Sequence, residues 1–264
     1  MASGPEQEVV EQRFLDQLVR MQDAEGRHLW KYNTGNVEDP TATGRTSFRE
    51  VLVLDDLRKA LRRINLDDNG NEWLDEGRID QAINALQRIG TSKLLEANQE
   101  STTLLLKGTV VDGVEGWDQR RGRTVHFVDW DRPENNTFRA INQFRVDEPG
   151  GQAKKYVTPD IVLFCNGIPL VVVECKSPGI ASPIDQAIDQ LQRYANQRTW
   201  TEGNEGNERL FHTNQFVIAT CFDEARAGTF TSQAVHFLEW KDTSPMEMAR
   251  VAEALGKESL SSQE

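Results

Sequence analysis

The chain has 264 residues, 38 % hydrophobic and 27 % charged, so a buried core is feasible and wholesale disorder is excluded. Its formal net charge of −12 repels a phosphate backbone overall, which argues against a self-sufficient DNA binder and for a module tethered to partners. The longest apolar run, residues 168–173, is too short to cross a bilayer, and no basic stretch followed by an apolar one marks a secretory signal. Cys165, Cys175 and Cys221 sit in or beside apolar runs without CxxC spacing. They read as buried free thiols of a reducing, cytoplasmic setting.

In chain order, residues 6–21 place Val10, Phe14, Leu15 and Leu18 at helical spacing. The polar stretch 26–44, with Pro40 and several glycines, reads as a loop. A second helix is expected from Ser47, as its cap, through Leu52, Leu57 and Leu61 to Ile64, and residues 67–70 break it. Residues 75–89 form a third, with Ile79, Ile83 and Leu86 on one face. Residues 102–111 fit a helix end or a strand, whereas 124–128 and 138–146 have the shorter period of strands. Between these strands, 129–136 is turn-rich, and 147–152, with Pro149-Gly150-Gly151, is a break. Strands 161–165 and 170–175 are joined by Asn166-Gly167, a strong hairpin signal. A helix over 183–197, a loop at 203–207, a strand over 215–221 and a helix-like tail follow. The expected organisation is a mainly helical part over 1–100, a core over 101–242 and a tail over 243–264. The fold class is α/β, a mixed central sheet flanked by helices with a helical N-terminal elaboration. Basic clusters at 58–63, 120–123 and Lys154-Lys155 read as solvated faces.

The informative stretch is 158–176, where Asp160 opens one apolar strand and Glu174-x-Lys176 closes the next. Charges at the ends of apolar strands need a reason, because a buried charge is costly unless paired or metal-bound. Side chains alternate along a strand, so Glu174 and Lys176 share a face while Cys175 points away. Two carboxylates with the Cys175 carbonyl would make an oxygen cage suited to Mg²⁺, and Lys176 could position or deprotonate a water there. Register tests this: a two-residue Asn166-Gly167 turn pairs Cys165 with Ile168, hence Asp160 with Val173, and puts Asp160 and Glu174 on opposite faces. A shared site requires a one-residue offset, most readily near Pro169 or Pro159. The bland alternative is a strand-end acid and a surface Glu–Lys pair. It wins easily for a lone ExK, less so with an Asp one hairpin earlier.

Gln186, Gln190 and Tyr194 recur every four residues, a polar stripe that spacing alone reads as an exposed helix face. Nothing local separates Glu11 from an ordinary solvated glutamate. Residues 67–76 suggest a calcium loop, but their glycine comes fourth where sixth is needed. His28, His126, His212 and His236 show no ligand spacing, and the six tryptophans read as packing residues. Glu224-Ala-Arg226 suggests no mechanism.

Together, Pro159-Asp160, Glu174-x-Lys176 and Gln190-x-x-x-Tyr194 resemble the PD-(D/E)xK nuclease core of type I restriction enzyme R subunits. The likeness extends to residues 47–52 and 57–65, to 127–136 with Asn142-Gln143-Phe144, and to 224–229 with Glu239-Trp240-Lys241, so it spans most of the chain. It implies Mg²⁺-dependent endonuclease activity without sequence preference, with Asp160 and Glu174 on the metal and Lys176 as catalytic lysine. Gln190 and Tyr194 would help place the DNA strand, and Glu11 matches the first-helix acid of that fold. The implied partners are double-stranded DNA, an ATP-driven motor in the same subunit, and methyltransferase and sequence-recognition subunits, with no membrane. No G-x-x-x-x-G-K-[ST] loop is present, and Gly256-Lys257-Glu258 does not qualify, so ATP would be bound only by the full-length subunit. The rival reading keeps the fold as a catalytically silent docking module with its acidic surface as the binding face.

Overall fold

A computed structural model describes residues 7–23, 25–89, 93–117, 121–148, 155–199, 203–239 and 247–263. Met1 to Gly4, Arg120, Pro149-Gly150-Gly151, Lys154, Trp240, Lys241 and the first residues of the expected tail lie outside them.

A π-helical turn, Gln7–Glu11, runs into α1 (Gln12–Arg20), followed by β1 (Trp30–Thr34), α2 (Leu54–Ile64), α3 (Glu76–Gln87) and α4 (Leu94–Lys107). Then come β2 (Thr109–Val111), β3 (Arg123–Val125), β4 (Phe138–Asn142), β5 (Val146–Asp147) and β6 (Tyr156–Val157). The last part holds β7 (Ile161–Cys165), β8 (Ile168–Cys175), α5 (Pro183–Tyr194), β9 (Phe216–Thr220), β10 (Ala225–Gly228) and α6 (Met248–Ala254). Six strands form a mixed sheet in the order β1-β4-β7-β8-β9-β10, parallel at β1/β4 and β8/β9 and antiparallel elsewhere. The β2–β3 and β5–β6 pairs are separate two-stranded ribbons. The architecture is therefore the expected α/β class with a mixed sheet and flanking helices.

Three local expectations are corrected. Stretch 26–44 is not all loop: Trp30 to Thr34 form the β1 edge strand and Pro40–Thr43 a 3₁₀ turn. The alternation of Trp30 and Tyr32 with Lys31 and Asn33 suits an edge strand, but it is short and sits in a polar stretch; pairing with β4, helped by Trp30 against the Phe138 ring at 5.4 Å, fixes it. The second helix starts at Leu54, not Ser47. Glu50 is turned back onto the Thr46 backbone N–H (2.8 Å) and hydroxyl (2.7 Å), and the Val53 N–H is held by the Gly167 carbonyl at 2.8 Å. Those bonds hold 46–53 against the β7–β8 turn. The 138–146 strand is broken after Asn142, because Gln143 takes a left-handed φ of 47°.

The core lies on both sheet faces. On one, Val162, Phe164, Val172, Val217 and Ala219 pack with Ile184, Ala187, Ile188 and Leu191 of α5. On the other, Ala140, Ile161, Leu163, Val171, Val173 and Cys175 pack with Val10, Leu15 and Leu18. At the turn end, Cys165 and Ile168 join the core of α2, α3 and α4. Burying each such aliphatic side chain contributes on the order of 2 kcal/mol before conformational entropy is charged against it.

Candidate active site

The site is built on the β7–β8 hairpin. Cys165 pairs with Ile168 and Phe164 with Pro169, as a two-residue turn dictates, but Leu163 then pairs with Val171 and Ile161 with Val173. Leu170 is the extra residue of a bulge. Pro169 has no N–H, so no ladder donor is lost there, and its carbonyl accepts the Thr213 hydroxyl at 2.7 Å. The Leu170 carbonyl accepts the Gln215 N–H at 2.7 Å and the Asn214 amide at 3.2 Å. The bulge is thus anchored from the segment leading into β9. Its consequence is the required offset: Asp160 and Glu174 come to the α5 face together.

Both carboxylates are buried, Asp160 at 7 % and Glu174 at 2 % exposure. Asp160 Oδ2 accepts the Cys175 N–H at 2.8 Å, and Oδ1 lies 3.4 Å from the Gln143 amide nitrogen. Lys176 Nζ donates to Glu174 Oε1 at 2.6 Å and to the Cys175 carbonyl at 3.1 Å. Glu174 Oε2 is buried without a hydrogen-bond donor in bonding geometry, the nearby Tyr194 hydroxyl being aimed at the Thr158 carbonyl. Burial, then the Asp160 charge, pushes the Glu174 carboxyl up to about 8 against the pull of Lys176 and the Tyr194 hydroxyl. The Cys175 thiol is pushed well above its usual range by burial, so only its carbonyl is a candidate ligand.

Glu11, the last residue of the π turn, is also buried. Its carboxylate accepts the Asn142 amide at 2.7 Å and the Gln143 amide at 3.2 Å. Gln143 therefore stands between Glu11 and Asp160, and its own N–H donates to the Asp160 carbonyl at 2.8 Å. Asn142 and Gln143 do not stand out as site residues in the sequence; an amide pair after the apolar Ala140-Ile141 is the available signal. On α5, Gln190 Nε2 donates to the Tyr194 hydroxyl at 3.0 Å, which donates to the Thr158 carbonyl at 3.1 Å. Tyr194 is buried and braces the lead-in to Asp160, whereas Gln186 turns away to the Ala181 carbonyl at 2.7 Å.

The residues fit a divalent cation. Two buried like-charged acids and an oxygen without a hydrogen-bond donor are a poor arrangement alone and a good one around a cation. Among the described residues no three His, Cys, Asp or Glu side chains are grouped as a ready-made cage. A cation would draw on Asp160, Glu174, the Cys175 carbonyl and water. A cavity of about 480 Å³ lies elsewhere, at Arg49, Arg88 and Arg209, so the site is identified by its buried acids and not by concavity. The basic cluster at 58–63 is taken up internally: Arg58 pairs with Glu76 and Asp80, Arg62 with Glu76, and Arg63 holds the Asn135 carbonyl. No helix among the described residues is long and apolar enough to cross a membrane.

The family described as the type I restriction enzyme R protein N terminus matches residues 6–236. The type I restriction enzyme HindI endonuclease subunit of Haemophilus influenzae is 28 % identical over 216 residues, 80 % of this chain and 19 % of that protein. A putative type I restriction enzyme MjaIXP endonuclease subunit of Methanocaldococcus jannaschii is 26 % identical over 152 residues, 56 % of this chain and 14 % of that protein. The EcoprrI endonuclease subunit of Escherichia coli is 29 % identical over 107 residues, 40 % of this chain and 31 % of that protein. The chain spans about a fifth of the length of the HindI relative. With a match running from the π turn past β10, this chain belongs to the family of type I restriction enzyme R protein N-termini.

Proposed function

We propose that this chain is a PD-(D/E)xK nuclease domain that hydrolyses DNA phosphodiesters with Mg²⁺ and without sequence preference of its own. The observation that carries the reading is the Leu170 bulge, which gathers Asp160 and Glu174 beside Lys176 at one end of an otherwise apolar hairpin. A surface ion pair needs no such offset and no buried second acid.

On this reading Asp160, Glu174 and the Cys175 carbonyl hold the cation. Bound Mg²⁺ supplies a water of lowered pKa and neutralises charge on the phosphoryl oxygens. Lys176, held by Glu174 Oε1, orients the attacking water and offsets the charge that builds on the phosphate. Glu11 supports Asp160 through Gln143. Gln190 helps to place the DNA strand, and Tyr194 does so through Thr158. The net charge of −12 fits a domain brought to DNA by others: an ATP-driven motor of the same subunit, with methyltransferase and recognition subunits.

The test is plasmid nicking at low salt with and without Mg²⁺. The wild type is expected to nick only with the cation, and Asp160→Ala and Lys176→Ala to lose at least about a hundredfold in rate. Nicking by Asp160→Ala at the wild-type rate would sink the assignment and leave the docking module as the better account.

A further inference from the structure

The cavity of about 480 Å³ is walled by the segment entering α2 (Arg49 to Leu52, and Leu54), the end of α3 (Asn84 and Leu86 to Arg88) and Arg209, His212 and Thr213 ahead of β9. It is remote from the acids. Thr213 is tied to Pro169 at the opening of β8, whereas Glu174 is five residues further on, roughly 17 Å along an extended strand.

The lining sets its chemistry. Among the described residues the guanidinium groups of Arg49, Arg88 and Arg209 have no hydrogen bond, ion pair or ring contact, unlike Arg58, Arg62, Arg78, Arg139 and Arg198, each of which is paired with a carboxylate. The carboxylate in the lining, Glu50, is turned onto Thr46 and is outnumbered by the three arginines, so the wall keeps a surplus of positive charge in a chain that is otherwise acidic. Leu54 begins α2, whose first turn has no side-chain cap, and Asp55 and Asp56 in that turn offset the positive end of the helix dipole, so the arginines carry the charge of the wall. Val51, Leu52, Leu54 and Leu86 give it an apolar floor. His212, held below the usual histidine range by burial and then by Arg209, contributes a neutral ring.

We propose that this cavity binds a small phosphate-bearing anion, of the size of a nucleoside phosphate, through Arg49, Arg88 and Arg209. Guanidinium groups match phosphate oxygens in pairs, and the floor suits a flat apolar body. A duplex is too broad to enter a space of this volume.

The test is calorimetric titration of the 264-residue chain, without divalent cation, with inorganic pyrophosphate, adenosine diphosphate and a short blunt DNA duplex. Both small anions are expected to bind, the nucleotide more tightly if the floor is used, and each of Arg88→Ser and Arg209→Ser to weaken them about tenfold. All three arginines are exposed, so folding is expected to persist; should either serine variant unfold, Arg49→Gln carries the same expectation. Absence of binding by both small anions, binding unchanged in the variants, or binding of the duplex alone would overturn the proposal.

Discussion

The two ends of the β7–β8 hairpin both bury polar side chains, and they treat them in opposite ways. At the turn, Asn166 is fully buried at a positive φ of 53°, yet satisfied on both sides of its amide. Its Nδ2 donates to the Phe127 carbonyl at 2.9 Å and to Asn136 at 2.8 Å, and its Oδ1 accepts the Thr137 N–H at 2.9 Å. At the open end, Glu174 is as deeply buried, lies beside another acid, and has one oxygen with no hydrogen-bond donor. Burial alone therefore does not mark a functional polar group. What separates the two ends is whether the polar atoms are satisfied within the chain.

The comparison predicts that substitutions at the two ends act on different properties. The largest expected change in stability is at the turn. Asn166→Ala strands the Phe127 carbonyl and the Thr137 N–H in the core and is expected to cost about 3 kcal/mol in denaturant unfolding, with cation binding retained by the folded fraction. A cost under about 1 kcal/mol would mean the network is not structural.

Gln143→Gly sharpens the contrast at the open end. Glycine adopts φ 47° without strain, so stability is expected to stay within about 1 kcal/mol of wild type, while loss of the amide between Glu11 and Asp160 weakens Mg²⁺ binding about tenfold. A residue that merely held the fold would move stability and leave affinity alone.

A smaller effect is expected at Asp129, in the 129–136 loop beside the turn. Burial raises its carboxyl, but the Asn135 amide at 2.7 Å and the Arg132 N–H at 2.9 Å outweigh it and hold the group below the ordinary carboxylate range. A depressed carboxylate stabilises the fold above its unfolded pKa and loses that contribution as pH falls through the folded value. Asp129→Asn is therefore expected to cost about 1 kcal/mol near neutrality, with the difference from wild type shrinking in acid. An equal difference at all pH values would show that the charge plays no part.

Much of the open end was legible from the chain because charge at the end of an apolar strand is costly and Asn166-Gly167 fixes a register. The need for an offset, and Pro169 as a place for it, followed from counting residues. That Leu170 would be the bulged residue did not, since Thr213, Asn214 and Gln215 that anchor it are over forty residues away. β1 is hidden because the alternation of Trp30 and Tyr32 with Lys31 and Asn33 is only four residues long within a polar, glycine-bearing stretch, and pairing with β4 makes it a strand. Residues 47–53 looked helical because the local cap signal at Ser47 took no account of the Gly167 carbonyl that claims the Val53 N–H. Residues 102–111 fit a helix end or a strand and hold both, the end of α4 and β2, while the start of α4 at Leu94 carries no signal that marks it. Gln143 had no periodic signal at all. Its part depends on a left-handed backbone that places one amide between two acids distant in sequence.

The most direct measurement of the central claim is calorimetric titration of Mg²⁺ into wild type and Glu174→Gln, an isosteric change expected to keep the fold while removing the ionisable carboxyl. The account predicts saturable binding to the wild type and its loss, by about a hundredfold or more, in the variant. Equal binding by both proteins, or none by the wild type, would contradict the claim that the buried acids at the open end of the hairpin form a cation site.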